Sequence, residues 1–278
     1  MLWWLGGVLG LFAVCGIAVL ALSIRLRPGP IQPVLDVPTV AQRYIFIVGT
    51  LSGFSVASAV FLAGFIERTG SPALLTVIGM FLIAFLTFIG TAMIYGTIPA
   101  APVGDAAPDR FLGWQRTIYV MANCGYFVGL SLSWFALRPF LIAIKLDFLA
   151  DIFTWLLLVA GLAGATRISL HLHGLTLHNL HACFNMPLIG FGLAAVYRFL
   201  LVPAFPILWP PMHAPLVFAV IGFLLTGTAF LLDTVMLALG PEHRVSRWLT
   251  APGSRWLLVY CQLTIASSGL LWAAVVAP

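Results

Sequence analysis

Charged residues are scarce in this sequence. They make up 8% of its 278 residues, against about 25% in an ordinary globular domain. Hydrophobic residues account for 62%, and the mean hydropathy is +1.10. A soluble fold of this size could not bury so much apolar surface, because surface-to-volume scaling leaves too much of it in water. The composition therefore predicts an integral membrane protein and excludes a sizeable soluble domain.

Sequence motifs of nucleotide-binding proteins, metalloproteases and serine hydrolases are absent as well. The sequence has no glycine-rich phosphate loop, no H-E-x-x-H and no G-x-S-x-G. Its four cysteines, Cys15, Cys124, Cys183 and Cys261, show no C-x-x-C spacing, which argues against a disulfide framework or a thiolate metal site. The only lysine, Lys145, lies far from the last apolar segment, so a retinal protein is excluded. The cations are scattered rather than clustered, which favours a lipid bilayer as partner and argues against nucleic acid.

Eight apolar segments are each long enough to cross a bilayer, which takes about 20 residues. The first is too long for a cleaved signal peptide and is followed by Arg25 and Arg27, so we predict a retained helix. We predict an all-α bundle of about eight transmembrane helices, forming a single domain over residues 1–278. The predicted spans are 2–24, 44–66, 73–96, 117–137, 148–166, 182–205, 215–239 and 256–276.

The sequence leaves open the structure of one connection and the number of spans. Residues 140–151 predict either a short interfacial helix or a tight loop, since Lys145, Asp147 and Asp151 interrupt the apolar run. Seven spans is the alternative count, because Arg198 lies inside the sixth segment and a proline-rich stretch follows it. With eight spans, the basic residues are concentrated in the odd-numbered loops. The positive-inside rule then predicts that the odd-numbered loops lie in the cytoplasm and both termini outside. We expect the membrane to be the inner membrane of a bacterium.

Small and aromatic residues predict how the helices pack. The pair Gly49 and Gly53 forms a G-x-x-x-G, and Gly161 with Gly164 provides another small face, so close helix contacts are expected at both. Tryptophans near the predicted span ends predict an aromatic belt at headgroup depth. This set comprises Trp3, Trp4, Trp114, Trp134, Trp155, Trp209, Trp256 and Trp272.

Four of the six histidines lie within eleven residues: His171, His173, His178 and His181. On a continuous helix, three of these imidazoles would share one face, with His173 behind. Imidazole is a common ligand of transition metals and of haem iron. The cluster therefore predicts a haem or metal site, to which His243 in a later loop could contribute. Headgroup hydrogen bonding and a role in proton or pH sensing are the alternatives.

The stretch His181-Ala182-Cys183-Phe184-Asn185, continuing to Tyr197-Arg198, resembles the H-A-H-x-N segment of small membrane proteins related to cytochrome oxidase subunit I. In that group the segment opens an apolar helix. Cys183 stands here at the position of the second histidine. The resemblance implies haem or metal binding rather than a functioning oxidase.

Two ionisable residues lie inside apolar segments: Arg198 in the sixth and Asp233 in the seventh. Charge in hydrocarbon costs several kcal/mol unless it is paired or hydrated, so each is a candidate functional residue. One interpretation is structural: either an ion pair between the two residues, which requires the two helices to be offset, or an arginine at the membrane interface. A proton, ion or quinone-headgroup site is the other.

Together these features predict a membrane subunit of an electron-transfer complex. In this hypothesis the histidine cluster holds a haem or metal, Arg198 and Asp233 line a polar pocket for a quinone, and partner protein subunits supply the substrate chemistry. A transporter or channel for a small solute, proton or metal is the alternative. A structural subunit without a cofactor is the third hypothesis, and whether the protein is an enzyme stays open.

Overall fold

A computed structural model describes residues 37–69, 71–98, 108–173, 180–204, 214–240, 242–251 and 255–276. For residues 67–69, 72, 108–112, 173 and 180–184 it describes the backbone alone. The predicted first span, 2–24, lies outside these ranges. Every regular element in the described ranges is helical, which confirms the all-α prediction.

Ten helical elements, α1 to α10, follow one another along the described chain. They are α1 Val37–Thr69, α2 Pro72–Thr97, α3 Pro108–Phe135, α4 Leu137–Ala143, α5 Asp147–His173, α6 Leu180–Val196, α7 Val202–Ala204, α8 Ala214–Leu239, α9 Arg244–Thr250 and α10 Arg255–Val275. A π-helical turn, Tyr197–Leu201, joins α6 to α7.

Seven of the predicted spans are present as long apolar helices. The candidate membrane spans are Val37–Ile66, Ala73–Thr97, Gly113–Ala143, Asp147–Leu172, Asn185–Ala204, Ala214–Leu239 and Arg255–Val275. Apolar helices of this length suit hydrocarbon because a helix satisfies its backbone hydrogen bonds within itself. Their presence confirms a polytopic integral membrane protein.

Several helices extend beyond the predicted boundaries. Helix α1 is described from Val37 and so includes residues 37–43, which precede the predicted start at residue 44. Helix α5 continues to His173 rather than ending at residue 166. Of the two structures predicted for the connection between α4 and α5, the tight loop is the one observed, over residues 144–146. Lys145 adopts a left-handed backbone conformation there, with φ of 63°.

The core is formed around α10, in which 83% of the most apolar stretch is buried inside the protein. Cys124 and Cys261 are buried there with their Sγ atoms 3.6 Å apart, packed as small apolar side chains. Trp114 and Trp272 are also fully buried. The prediction that these two tryptophans belong to an interfacial belt is therefore wrong. Neighbouring helices cover both indole rings, so neither ring can contact lipid headgroups.

Close backbone contact occurs at glycines other than Gly49 and Gly53. A Cβ atom built at Gly269 would lie 3.0 Å from the carbonyl oxygen of Gly190, so α6 and α10 approach closely there. Nothing lies within 4 Å of a Cβ at Gly49 or Gly53, and both residues are exposed. The prediction of a helix contact at Gly49 and Gly53 is wrong within the described chain, whereas Gly161 does pack closely, against Phe191.

Because short connections join consecutive spans, the helices alternate in direction. One end of the bundle therefore carries the start of α1, the end of α2, the start of α3 and the end of α5 with His171 and His173. We call it the histidine end. The end of α8 and the start of α10 also lie there, whereas Lys145, Asp147 and Val275 lie at the opposite end.

Candidate functional site

A cleft of about 540 Å³ lies between α1, α3 and α5. Helices α1 and α5 each pack on α3 but make little direct contact with each other, which leaves the space open. Most of the walls are apolar, and the exposed side chains of Ile47 and Trp134 border it. The lining residues are Ile47, Leu51, Asn123, Tyr126, Phe127, Leu130, Ser131, Trp134, Phe135, Ala160, Gly161, Ala163, Gly164, Arg167 and Ile168. The cleft is therefore an apolar recess that opens toward lipid.

The cleft has a polar region toward the histidine end, where Arg167 lies. Its guanidinium donates a hydrogen bond to the Tyr44 hydroxyl across from α5 to α1. The Arg167 Cζ atom also lies 5.5 Å from the centroid of the Tyr44 ring, a cation–π distance. Among the described residues, Tyr44 alone holds the Arg167 side chain in place, so the remaining N–H groups of Arg167 can donate to a ligand.

Tyr44 belongs to a cluster of tyrosines from three helices. Its ring stacks on Tyr95 of α2 at 5.2 Å between centroids and meets Tyr126 of α3 edge-on at 5.5 Å. Tyr119, one helical turn toward the histidine end from Asn123, packs edge-on against both Tyr44 and Tyr95. These aromatic contacts position Tyr44, and through it Arg167, in the polar region of the cleft.

Two further polar groups line the cleft from α3. The Asn123 amide nitrogen donates to the carbonyl oxygen of Tyr119 at 2.8 Å, and its side chain also interacts with the Tyr119 side chain. The Tyr126 hydroxyl makes no hydrogen bond to any other described residue. Arg167, Asn123 and Tyr126 together offer several donors beside an apolar recess.

His171 lies one turn beyond Arg167 on α5. Its ring meets Tyr119 edge-on at 5.3 Å between centroids. Its Nε2 atom is buried and has no hydrogen-bond partner among the described residues. Arg116 donates to the carbonyl oxygen of Leu172 at 2.7 Å, so the C-terminal turn of α5 is fixed against α3. His171 therefore presents an unsatisfied imidazole nitrogen at the histidine end.

The other predicted ligands are only partly described. His173 is the last residue of α5 and His181 lies in the first turn of α6, but their side chains and all of His178 lie outside the described part. Because α5 and α6 pack together, the backbones that carry His171, His173 and His181 lie at the same end. Among the side chains that are described, no group of three or more His, Cys, Asp and Glu residues could hold a metal.

His243 has a structural role in the described chain. It is exposed and precedes α9, and its Nδ1 accepts a hydrogen bond from the backbone N–H of Val245 at 3.3 Å. A side-chain acceptor at this position caps a helix N-terminus. This contact accounts for His243 without a metal.

Arg198 and Asp233 are not brought together. Arg198 lies in the π-helical turn near the opposite end, where its Cζ atom is 5.9 Å from the Phe199 ring centroid. Asp233 lies about two turns from the histidine end of α8. At 1.5 Å rise per residue, the two side chains are roughly 20 Å apart along the bundle axis. One pocket cannot be lined by both residues.

Asp233 is completely buried. Its Oδ1 lies 3.1 Å from the Thr97 hydroxyl oxygen on α2, and that oxygen also lies 2.7 Å from the carbonyl oxygen of Ile94. The Asp233 Oδ2 atom has no hydrogen-bond partner among the described residues.

Sequence reasoning missed Arg167 as a site residue because residue 166 was the predicted end of the fifth span. The helix continues for seven more residues, which places Arg167 within the candidate membrane span Asp147–Leu172. An arginine within an apolar helix is a signal for function, and it would have been found had the boundary been drawn at His173.

Comparison with protein-family models, with characterised proteins and with solved structures finds no match to this chain. The residues themselves therefore carry any functional assignment. The resemblance of residues 181–198 to proteins related to cytochrome oxidase subunit I stays a prediction.

Proposed function

We propose that this polytopic membrane protein binds a lipid-soluble molecule of the isoprenoid-quinone class in the cleft between α1, α3 and α5. The proposed setting is a redox system in which partner protein subunits carry the substrate chemistry. The observation that supports it is the pairing of a lipid-facing apolar recess with the polar groups of Arg167, Asn123 and Tyr126 in the polar region of the cleft.

The dimensions and lining are those of a small-molecule site. Such pockets typically have volumes of about 300–1,000 Å³, with apolar walls and a few polar groups that orient the ligand. The cleft of about 540 Å³ falls within this range. A ring with carbonyl acceptors would lie against Arg167 and Asn123, and its prenyl tail would leave past Ile47 and Trp134 into lipid.

Depth favours an uncharged headgroup. Arg167 lies six residues inside the end of α5, which is about 9 Å below the histidine end. A phosphate carried to that depth would lose much of its hydration, at a cost of several kcal/mol. A quinone ring is neutral and offers carbonyl acceptors, so it matches both the depth and the donors of the cleft.

The test is photolabelling of the purified protein in lipid nanodiscs with an azido-substituted isoprenoid quinone. We expect saturable labelling that maps by mass spectrometry to peptides of α3 and α5. Arg167→Gln should weaken binding about tenfold, the equivalent of losing one charge-assisted hydrogen bond of about 1.4 kcal/mol. Arg43→Gln, at an exposed arginine of α1, should leave binding unchanged.

A second pair of variants tests the cleft itself. Ala163→Trp would fill the recess from α5, whereas Val159→Trp changes a lipid-facing position on the same helix that does not line it. We expect labelling to be lost in the first variant and kept in the second. Labelling that does not saturate, or that is equal in both variants, would contradict the proposal.

A second candidate function is haem or transition-metal binding by the histidine cluster. The buried, unsatisfied Nε2 of His171 favours it, because an imidazole nitrogen without a hydrogen-bond partner is free to act as a ligand. His173, His178 and His181 would provide the other ligands. Such a cofactor would supply one-electron chemistry beside the cleft.

The absorption spectrum and metal content of the purified protein test this second candidate. A Soret band or a stoichiometric metal, lost in His171→Ala and kept in His243→Ala, is the expected result. A colourless protein without metal that binds the quinone would leave the first candidate and exclude the second. If neither probe binds and the protein copurifies with other subunits, a structural role is indicated. Proteoliposome flux without binding of either probe would favour a transporter.

A further inference from the structure

Asp233 is the only fully buried carboxylate among the side chains that the structure describes. It projects from α8 toward the last turn of α2, where it meets Thr97. Its second oxygen, Oδ2, has no hydrogen-bond partner in the described chain. An unpaired carboxylate buried in this way would cost several kcal/mol.

The contacts of the Thr97 hydroxyl bear on the charge of Asp233, because this hydroxyl has a single proton to donate. The oxygen lies 2.7 Å from the carbonyl oxygen of Ile94 and 3.1 Å from Asp233 Oδ1. If Asp233 is ionised, the carbonyl oxygen of Ile94 and the Oδ1 atom of Asp233 compete for this one proton. If Asp233 is protonated, both contacts are satisfied, because Thr97 donates to Ile94 at the shorter distance and Asp233 donates to the Thr97 oxygen.

No cation in the described chain offsets the charge of Asp233. Its Oδ1 atom meets Thr97 and its Oδ2 atom has no hydrogen-bond partner in the described chain, so no described arginine or lysine donates to this carboxyl group. On α3, Arg116 donates toward α5, and on α2 the Tyr95 ring stacks on Tyr44 of α1.

The described elements on the other side of α8 provide no cation beside Asp233 either. Tyr260 of α10 donates to the carbonyl oxygen of Leu225, about two turns away from Asp233. The remaining basic side chains of these elements are exposed, namely His243 beside α9, Arg244, Arg247 and Arg255. The side chains of Asp109 and Arg110 lie outside the described part. Among its described neighbours, Asp233 therefore has no ion-pair partner.

We propose that Asp233 is a reversible proton-binding site, in which the neutral carboxyl group donates to Thr97 and its release of H⁺ leaves the carboxylate. A metal ion is the less suitable occupant, because hard cations take six or more oxygen ligands and the described neighbours provide Thr97 alone. Asp233 lies about 9 Å from the histidine end of α8, six residues before Leu239. This depth favours that end as the source of the proton. The proposal is independent of the quinone cleft.

Infrared spectroscopy of the protein in lipid nanodiscs tests it, because a protonated carboxyl group has a carbonyl stretch separate from that of a carboxylate. At neutral pH we expect a carboxylic-acid band that shifts in D₂O and disappears reversibly as the pH is raised. Asp233→Asn should remove the band. Asp147→Asn, at an exposed carboxylate of α5, should leave it in place.

Variants of Thr97 keep the carboxyl group and so remain informative if Asp233→Asn fails to fold. Thr97→Val removes the acceptor and should move the band to higher frequency, whereas Thr97→Ser should restore its position. The absence of any band that depends on Asp233 or Thr97 would overturn the proposal. A band that neither exchanges in D₂O nor responds to pH would also overturn it, since the proton would then be static.

Discussion

Tyr44 on α1 and Arg167 on α5 join two helices that otherwise make little contact, through a hydrogen bond and a cation–π contact in the polar region of the cleft. The pair lies between the lipid-facing recess and the tyrosine cluster. Its position determines both where the donors of the cleft lie and how far α1 and α5 can separate.

A double-mutant cycle should measure this pairing. We expect Tyr44→Phe and Arg167→Gln to lower the free energy of unfolding by about 1–2 kcal/mol each, as for hydrogen bonds to a charged group. The double variant should lose less than the sum of the two, because either change removes the same contact. Unfolding in mixed detergent micelles provides the measurement. Strict additivity would show that the two side chains do not interact.

Glycine substitutions should separate packing positions from lipid-facing ones. Gly269→Ala places a Cβ atom 3.0 Å from the Gly190 carbonyl oxygen, so we expect a loss of about 1–3 kcal/mol from overpacking. Gly53→Ala meets nothing within 4 Å and should be neutral or slightly stabilising, because alanine has the higher helix propensity. Thermal unfolding of the two variants, compared with the parent protein, tests the prediction. Equal effects would mean that α6 and α10 are not in close contact.

Arg138 should stabilise the opposite end of the bundle. It is 8% exposed, and it donates to the Thr154 hydroxyl at 2.8 Å and to the carbonyl oxygen of Val275 at 2.5 Å. The second contact satisfies a carbonyl at the C-terminus of α10 that has no helical partner. We expect Arg138→Met to lower stability by about 1.5–3 kcal/mol. Arg247→Met, at an exposed arginine of α9, should have little effect, and a comparable loss there would contradict the assignment.

Cysteine labelling should establish the orientation of the bundle. Most of the described arginines lie toward the histidine end, so the positive-inside rule predicts that this end faces the cytoplasm. In a background without native cysteines, a membrane-impermeant maleimide added to intact cells should label Lys145→Cys and not Arg247→Cys. Both positions are exposed. The reverse pattern would invert the predicted orientation.

The transmembrane helices could be predicted because hydrocarbon leaves few structural solutions. Every backbone N–H and C=O group in lipid must be satisfied within its own helix, so apolar length alone locates each span. The boundaries were less certain, since a helix can continue past a charged residue when another helix provides a partner. Arg167 shows this: its partner, Tyr44, lies 123 residues away in the chain.

The candidate sites could be predicted only in part. Asp233 was recognisable because a carboxylate in an apolar segment is costly, but its contact with Thr97 was not, because that contact depends on how α2 and α8 are rotated and packed. Asn123 is unremarkable as a single polar residue in a span. It gains significance from its neighbours Tyr126 and Arg167, which the fold brings to the same recess.

By itself, the sequence determined that this protein is helical, polytopic and embedded in lipid, because the length of an apolar run and the absence of charge act locally along the chain. The tertiary structure decided which polar groups meet. It separates Arg198 from Asp233, joins Arg167 to Tyr44 and places Thr97 beside Asp233. The physical reason is that such pairings depend on the depth and rotation of each helix relative to its neighbours, and neither quantity is encoded in any single segment.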